Sequence, residues 1–121
     1  MNKNTGELVK YRMYRAEETG KLFSTVNRIY YASFYAVSAL LLTKGLSAPK
    51  HSGAIALFNR EFVNKGILDK ELGRFYNEIF EYRHKADYRD MTEFIKEDVG
   101  RWLNEAGDFI RRIREVVERM Q

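Results

Sequence analysis

A chain of 121 residues, 45% hydrophobic and 14% aromatic, suits one domain with a substantial core. It contains no cysteine, which excludes disulfides and thiolate chemistry, and its two histidines restrict metal and acid–base schemes. The net charge of +4 permits nucleic-acid or nucleotide binding, although a small surplus of Lys and Arg on a solvated surface is the simpler explanation. No apolar stretch reaches membrane-spanning length, and MNKNTGELVKYR lacks the apolar segment of a secretory signal, so a cytoplasmic, membrane-free location is expected.

Strand signals are almost absent, whereas helical periodicity is strong. A first helix is predicted over 5–18, with Val9, Met13 and Ala16 on one face and Gly20 as its breaker. A second helix is predicted over 22–44. Its apolar positions, from Val26 through Tyr30, Phe34 and Val37 to Leu42, go nearly all the way round. Such a helix is usually buried on more than one side, so one side could meet a second subunit. Gly45-Leu46 reads as a C-cap with its apolar clasp, and Pro49 fits the first turn of a third helix over 50–64. Gly66-Ile67 repeats the stop signal. A fourth helix follows over 69–88 through Leu72, Phe75, Tyr76, Ile79 and Phe80. Asp90 with Glu93 suits a capping arrangement for a fifth helix over 91–120, marked by Ile95, Val99, Trp102, Ala106, Phe109, Ile113, Val116 and Met120. Five helices with short connections predict an all-α, up-and-down antiparallel bundle.

Polar residues embedded in these apolar helices carry the functional signal, because buried or half-buried polar groups need partners. Arg83 and Asp87 are four apart and share a helix face, as an intrahelical ion pair or with Asp87 orienting Arg83 for a phosphate or carboxylate. Asn27, with Arg28, precedes the aromatic run of the second helix. It could bond a neighbouring helix, read a nucleotide or hold Arg83. Lys50, His51 and Ser52 sit at a predicted helix start, where free N–H groups favour anions; an ordinary polar helix start explains them equally. The spacing there is not that of a P-loop, and no strand precedes it. Tyr30, Tyr31, Phe34 and Tyr35 have the spacing of core and interface residues more than of a base-stacking platform. Glu81-x-x-His84 stands alone, whereas carboxylate-bridged metal bundles need two such motifs, so no metal or cofactor is expected.

Taken together, NRIYYASFYAVSALLLTKGL, KHSGAIALFNREFVNKGIL and YRHKADY resemble the HEPN (higher eukaryotes and prokaryotes nucleotide-binding) family, in its prokaryotic subgroup with Lys-His-Ser-Gly and Arg-x-x-Ala-Asp-Tyr signatures. The resemblance covers roughly residues 8–105 and implies one HEPN domain over 1–121 that forms a homodimer. It also implies partnership with a minimal nucleotidyltransferase in a toxin–antitoxin-type module. Many HEPN proteins are metal-independent RNases with Arg followed by four to six residues and His. Here Tyr88 stands where the earliest such His would fall, and no His follows. Tyrosine, with an ordinary pKa of about 10, is a poor base near neutral pH. The expected ligand residues are therefore Arg83, Asp87, Lys50, His51 and Asn27, with Tyr88 as support or as a site of modification by the partner. The alternatives are an RNase using Arg83 and His51, and a purely structural dimeric adaptor.

Overall fold

The computed structural model describes residues 3–88 and 96–121, apart from the side chains of residues 3, 19 and 85–88. The Asp90–Glu93 cap and Ile95 lie outside the described residues. Among the described residues there are four α-helices where the sequence predicts five: α1 (Lys3–Leu42), α2 (His51–Phe58), α3 (Lys70–Tyr88) and α4 (Lys96–Met120). Residues predicted as two helices form the single α1, 40 residues long. Gly20 does not break it. Glycine disfavours a helix interior by about 1 kcal/mol but stops it only where the backbone turns left-handed. That happens at Gly45 (φ 70°) and Gly66 (φ 77°), not at Gly20. At Gly45 the Leu46 N–H reaches the Leu41 carbonyl (3.0 Å) and the Gly45 N–H reaches Leu42 (2.9 Å), closing α1 with a Schellman motif.

The third predicted helix is α2 followed by a π-helical turn, Asn59–Val63, with Lys50 as N-cap and Pro49 just outside. Gly73 of α3 lies against this turn so closely that a Cβ there would stand 2.6 Å from Asn59 Oδ1. Glu61 in the turn gathers Lys65 (2.7 Å), Arg60 (3.0 Å) and Lys44 (3.6 Å). The Lys65 and Arg60 hydrogen bonds pull its pKa down to about 2.

Cross-helix contacts fix the directions. Arg83 meets Asn27 while Tyr76 stacks on Tyr30, and Tyr82 meets Trp102 while Phe75 meets Phe109, so α3 runs antiparallel to α1 and α4. Residues 25–32 face 103–110 and residues 36–39 face 110–117, so α1 and α4 run parallel. His51 packs on Phe34 and Glu61 meets Lys44, so α2 follows the sense of α1 along its C-terminal half. The helices thus run up, up, down, up, with short α2 in the same sense as α1, rather than as a succession of alternating passes.

The core joins Val26, Tyr30, Val37 and Leu40 of α1 with Phe58, Phe62, Tyr76, Ile79, Trp102, Phe109 and Ile113. Buried Ser33 satisfies itself on the Ile29 carbonyl (2.8 Å). Val9, Met13 and Ala16 do not pack on the bundle: all three are exposed, as α1 runs on past its end. Tyr35 and Leu42 also face outward, 67% and 66% exposed, so the apolar circumference of α1 is not all consumed by the core. Among the described residues, no helix is long and apolar enough to cross a membrane.

Candidate functional site

Three of the residues singled out by sequence meet at the junction of α1, α2 and α3. Asn27 and Tyr31 are four apart on α1, with Phe34 one further turn along, so they line one face. Arg83 reaches that face from α3. Its Nε donates to Asn27 Oδ1 (3.1 Å) and its Nη2 donates to the Tyr31 hydroxyl oxygen (3.0 Å). The guanidinium lies 5.1 Å from the Tyr30 ring centroid and 4.9 Å from that of Tyr31. These two acceptors are neutral, and they orient the guanidinium. The two phenol faces add cation–π attraction.

His51, the first residue of α2, stacks on Phe34 (4.4 Å between centroids, 30° between planes) and stands edge-on to Tyr31 (5.9 Å). Its Nδ1 shares a hydrogen bond with the Tyr30 hydroxyl. Burial raises the pKa of Tyr30 to about 12, against the opposing pull of Arg83 and with a small contribution from Tyr31. Burial, reinforced by the positive charge of Arg83, lowers that of His51 below its usual 6.5. At neutral pH Tyr30 and His51 are therefore both uncharged, and the phenol can donate to an unprotonated Nδ1. The ring proton then sits on Nε2, which becomes a hydrogen-bond donor.

The site thus brings an oriented cation and a neutral N–H donor over one aromatic floor. Asn27, Tyr31, His51 and Arg83 are all half-buried, so they stay within reach of solvent. Two donors and no carboxylate among these side chains suit an anion, and the planar guanidinium suits phosphate oxygens in particular.

The other expected ligand residues do not join them. Lys50 is exposed at the N-cap of α2, and no hydrogen bond or ion pair described here ties it to the cluster. The backbone of Asp87 and Tyr88 continues α3, but their side chains lie outside the described residues. His84 is exposed and stacks on Phe80 (6.0 Å), away from the guanidinium face. Tyr30, Tyr31 and Phe34, read from sequence as core and interface, form the floor of the site. The signal that could have found them is their register: Tyr31 and Phe34 share the helix face of Asn27.

The HEPN domain model matches residues 12–116, a span that holds every residue of this cluster. The chain belongs to the HEPN family. A protein of Thermotoga maritima described as a UPF0332 protein is 55% identical over 98 residues, covering 81% of this chain and 74% of its own. Two proteins of Methanocaldococcus jannaschii bear the name "Putative toxin". One is 42% identical over 74% of this chain and 60% of its own length. The other is 34% identical over 98% of this chain and 95% of its own. No solved structure matches the chain. In this HEPN domain the family match begins inside α1, after the first turns of its exposed N-terminal stretch.

Proposed function

We propose that this HEPN protein binds a phosphate of a nucleotide or RNA at the Arg83–His51 cluster. We infer further that it acts in the cytoplasm as a homodimer, partnered by a minimal nucleotidyltransferase in a toxin–antitoxin-type module. The observation that carries the binding reading is the packing of the Arg83 guanidinium and the His51 ring on the same Tyr30–Tyr31 floor. The toxin names of the two archaeal relatives support the module.

Calorimetry with ATP, AMP and short RNA tests the binding. Replacing Arg83 by Ala should weaken affinity at least about tenfold, the order expected for losing a charge-assisted hydrogen bond. Equal binding by the Arg83→Ala variant and the wild type would refute the site. Co-expression with a nucleotidyltransferase encoded alongside should give a complex that survives purification; two separately eluting proteins would count against the partnership.

A second reading has one observation in its favour: His51 and Arg83 pack on the same two tyrosine rings. RNA cleavage would place the phosphate on Arg83 and use His51 as general acid/base, taking the 2′-hydroxyl proton as that oxygen attacks phosphorus and returning it to the leaving 5′-oxygen. An RNase assay in EDTA decides it, since cleavage unchanged in the His51→Ala variant would remove His51 from the chemistry.

A further inference from the structure

Two apolar features of α1 are left uncovered in the single chain. The first is its N-terminal stretch, where Leu8, Val9, Tyr11, Met13 and Tyr14 are between 47% and 59% exposed. At 100° per residue, Glu7, Tyr11, Tyr14 and Glu18 fall on one line along the helix. The second feature lies farther along the same line, where Thr25, Ile29, Ala32 and Ala36 form one wall of a groove against α4. That groove consists of two neighbouring hollows of about 450 and 220 Å³ sharing Ile110, with Ala106 and Gly107 on the α4 side. Small residues there let another helix approach closely. Arg28 lines one hollow and Arg114 the other.

We propose that a second copy of this chain fills the groove with its own α1 N-terminal stretch, the two α1 helices lying antiparallel. The argument is register and charge. Antiparallel pairing sets Glu7 opposite Ala36, Tyr11 opposite Ala32, Tyr14 opposite Ile29 and Glu18 opposite Thr25, with one constant offset throughout. Tyr11 meets the small Ala32 and Tyr14 meets Ile29, so large aromatic groups enter an apolar trough. Glu18 falls one turn from Arg28, and Glu7 falls beside Ala36, where Arg114 borders the hollow. The acidic ends of the stripe thus match the basic ends of the groove. The lengths also agree: the stripe spans 12 residues of helix, as do Thr25 to Ala36, roughly 17 Å from end to end. Because the pairing is two-fold, the contact forms twice per dimer, as isologous interfaces require.

This inference rests on the self-association proposed above and specifies its surface. Sedimentation of the full-length protein at micromolar concentration tests it. The wild type should run as a dimer, while Tyr11→Glu with Tyr14→Glu, or Ala32→Trp alone, should shift the mass toward monomer with unchanged helical circular dichroism. Glu7→Arg with Glu18→Arg should weaken the dimer at least about tenfold, as should Arg28→Glu with Arg114→Glu. Combining all four exchanges should restore it. If the tyrosine and tryptophan variants stay as dimeric as the wild type, this surface is overturned and self-association uses another face. If each charge pair disrupts the dimer but the combination fails to rescue it, the register is overturned. A monomeric wild type overturns both this surface and the homodimer.

Discussion

Tyr30 holds two roles with one side chain. Its ring is fully buried against Tyr76 and Phe80, and its hydroxyl hydrogen-bonds with Nδ1 of His51. That coupling gives the site a pH dependence with a definite sign. His51 has a depressed pKa in the folded protein, so it is neutral at pH 7 and gains charge only as pH falls below its usual range. A protonated imidazole next to Arg83 strengthens the attraction for phosphate, so affinity should rise as pH drops through the His51 pKa. The same depression makes folding slightly less favourable as pH falls through 6.5 toward the folded value, because the unfolded chain binds the proton first. Tyr30→Phe removes the donor to Nδ1, a bond that favours the neutral ring. In that variant the His51 pKa should move upward and the affinity rise should shift to higher pH, as read by imidazole NMR titration beside phosphate binding. An unchanged His51 titration would mean that the hydroxyl does not set the tautomer. At this scale the sequence revealed Arg83, Asn27 and His51 because polar groups in apolar helices must be partnered. It concealed Tyr30, Tyr31 and Phe34 because aromatic residues at helical spacing look alike in a core and in the floor of a site.

The elements were legible wherever a glycine had its apolar clasp. Gly45 is followed by Leu46, which folds back and packs on the core, and the helix stops there. Gly20 is followed by Lys21, which has no reason to fold inward, so the backbone stays right-handed and α1 continues. The same comparison separates two glycine substitutions. A Cβ at Gly20 would have nothing within 4 Å, so Gly20→Ala should stabilise the chain by about 0.5–1 kcal/mol through the reduced freedom of the unfolded state. A Cβ at Gly73 would press on Asn59 Oδ1 at 2.6 Å and on both Val63 methyls at 3.4 Å. Asn59 cannot yield freely, because its Nδ2 donates to the Ile55 carbonyl (3.0 Å). Gly73→Ala should therefore destabilise by about 1–3 kcal/mol, the usual range for overpacking. Urea denaturation reads both; a stabilised Gly73→Ala would show that the π-helical turn gives way without loss. The π turn itself had no sequence signal, since one widened turn leaves the apolar spacing of Phe58 and Phe62 within ordinary helical limits.

For the molecule as a whole, the length of α1 separates folding from assembly. A helix of 40 residues extends about 60 Å, whereas the 25 residues of α4 extend about 38 Å. Among the described side chains of α1 the first buried one is Val26, with Leu22 and Phe23 partly packed ahead of it. Described side chains before Glu18 are exposed, apart from Gly6, so they contribute little to the surface that unfolding uncovers. A chain lacking residues 1–16 keeps every core and cluster residue. It begins its helix at Glu17-Glu18, where acidic side chains favour the positive end of the helix dipole. At concentrations low enough for monomers, its urea midpoint and m-value should match those of the full chain, because m follows the area exposed on unfolding. Its helical circular dichroism per molecule should fall, since a helical stretch is gone. A midpoint loss worth more than about 1 kcal/mol would place the extension among the contacts that hold the fold. At higher concentration the two chains should part. If α1 lends its N-terminal stretch to a second copy, the full chain gains stability by mass action as concentration rises and the shortened chain does not. Exposed aromatic residues on a helix that outruns its own bundle then belong to assembly, while the Arg83–His51 cluster, wholly inside the bundle, keeps its geometry in either chain.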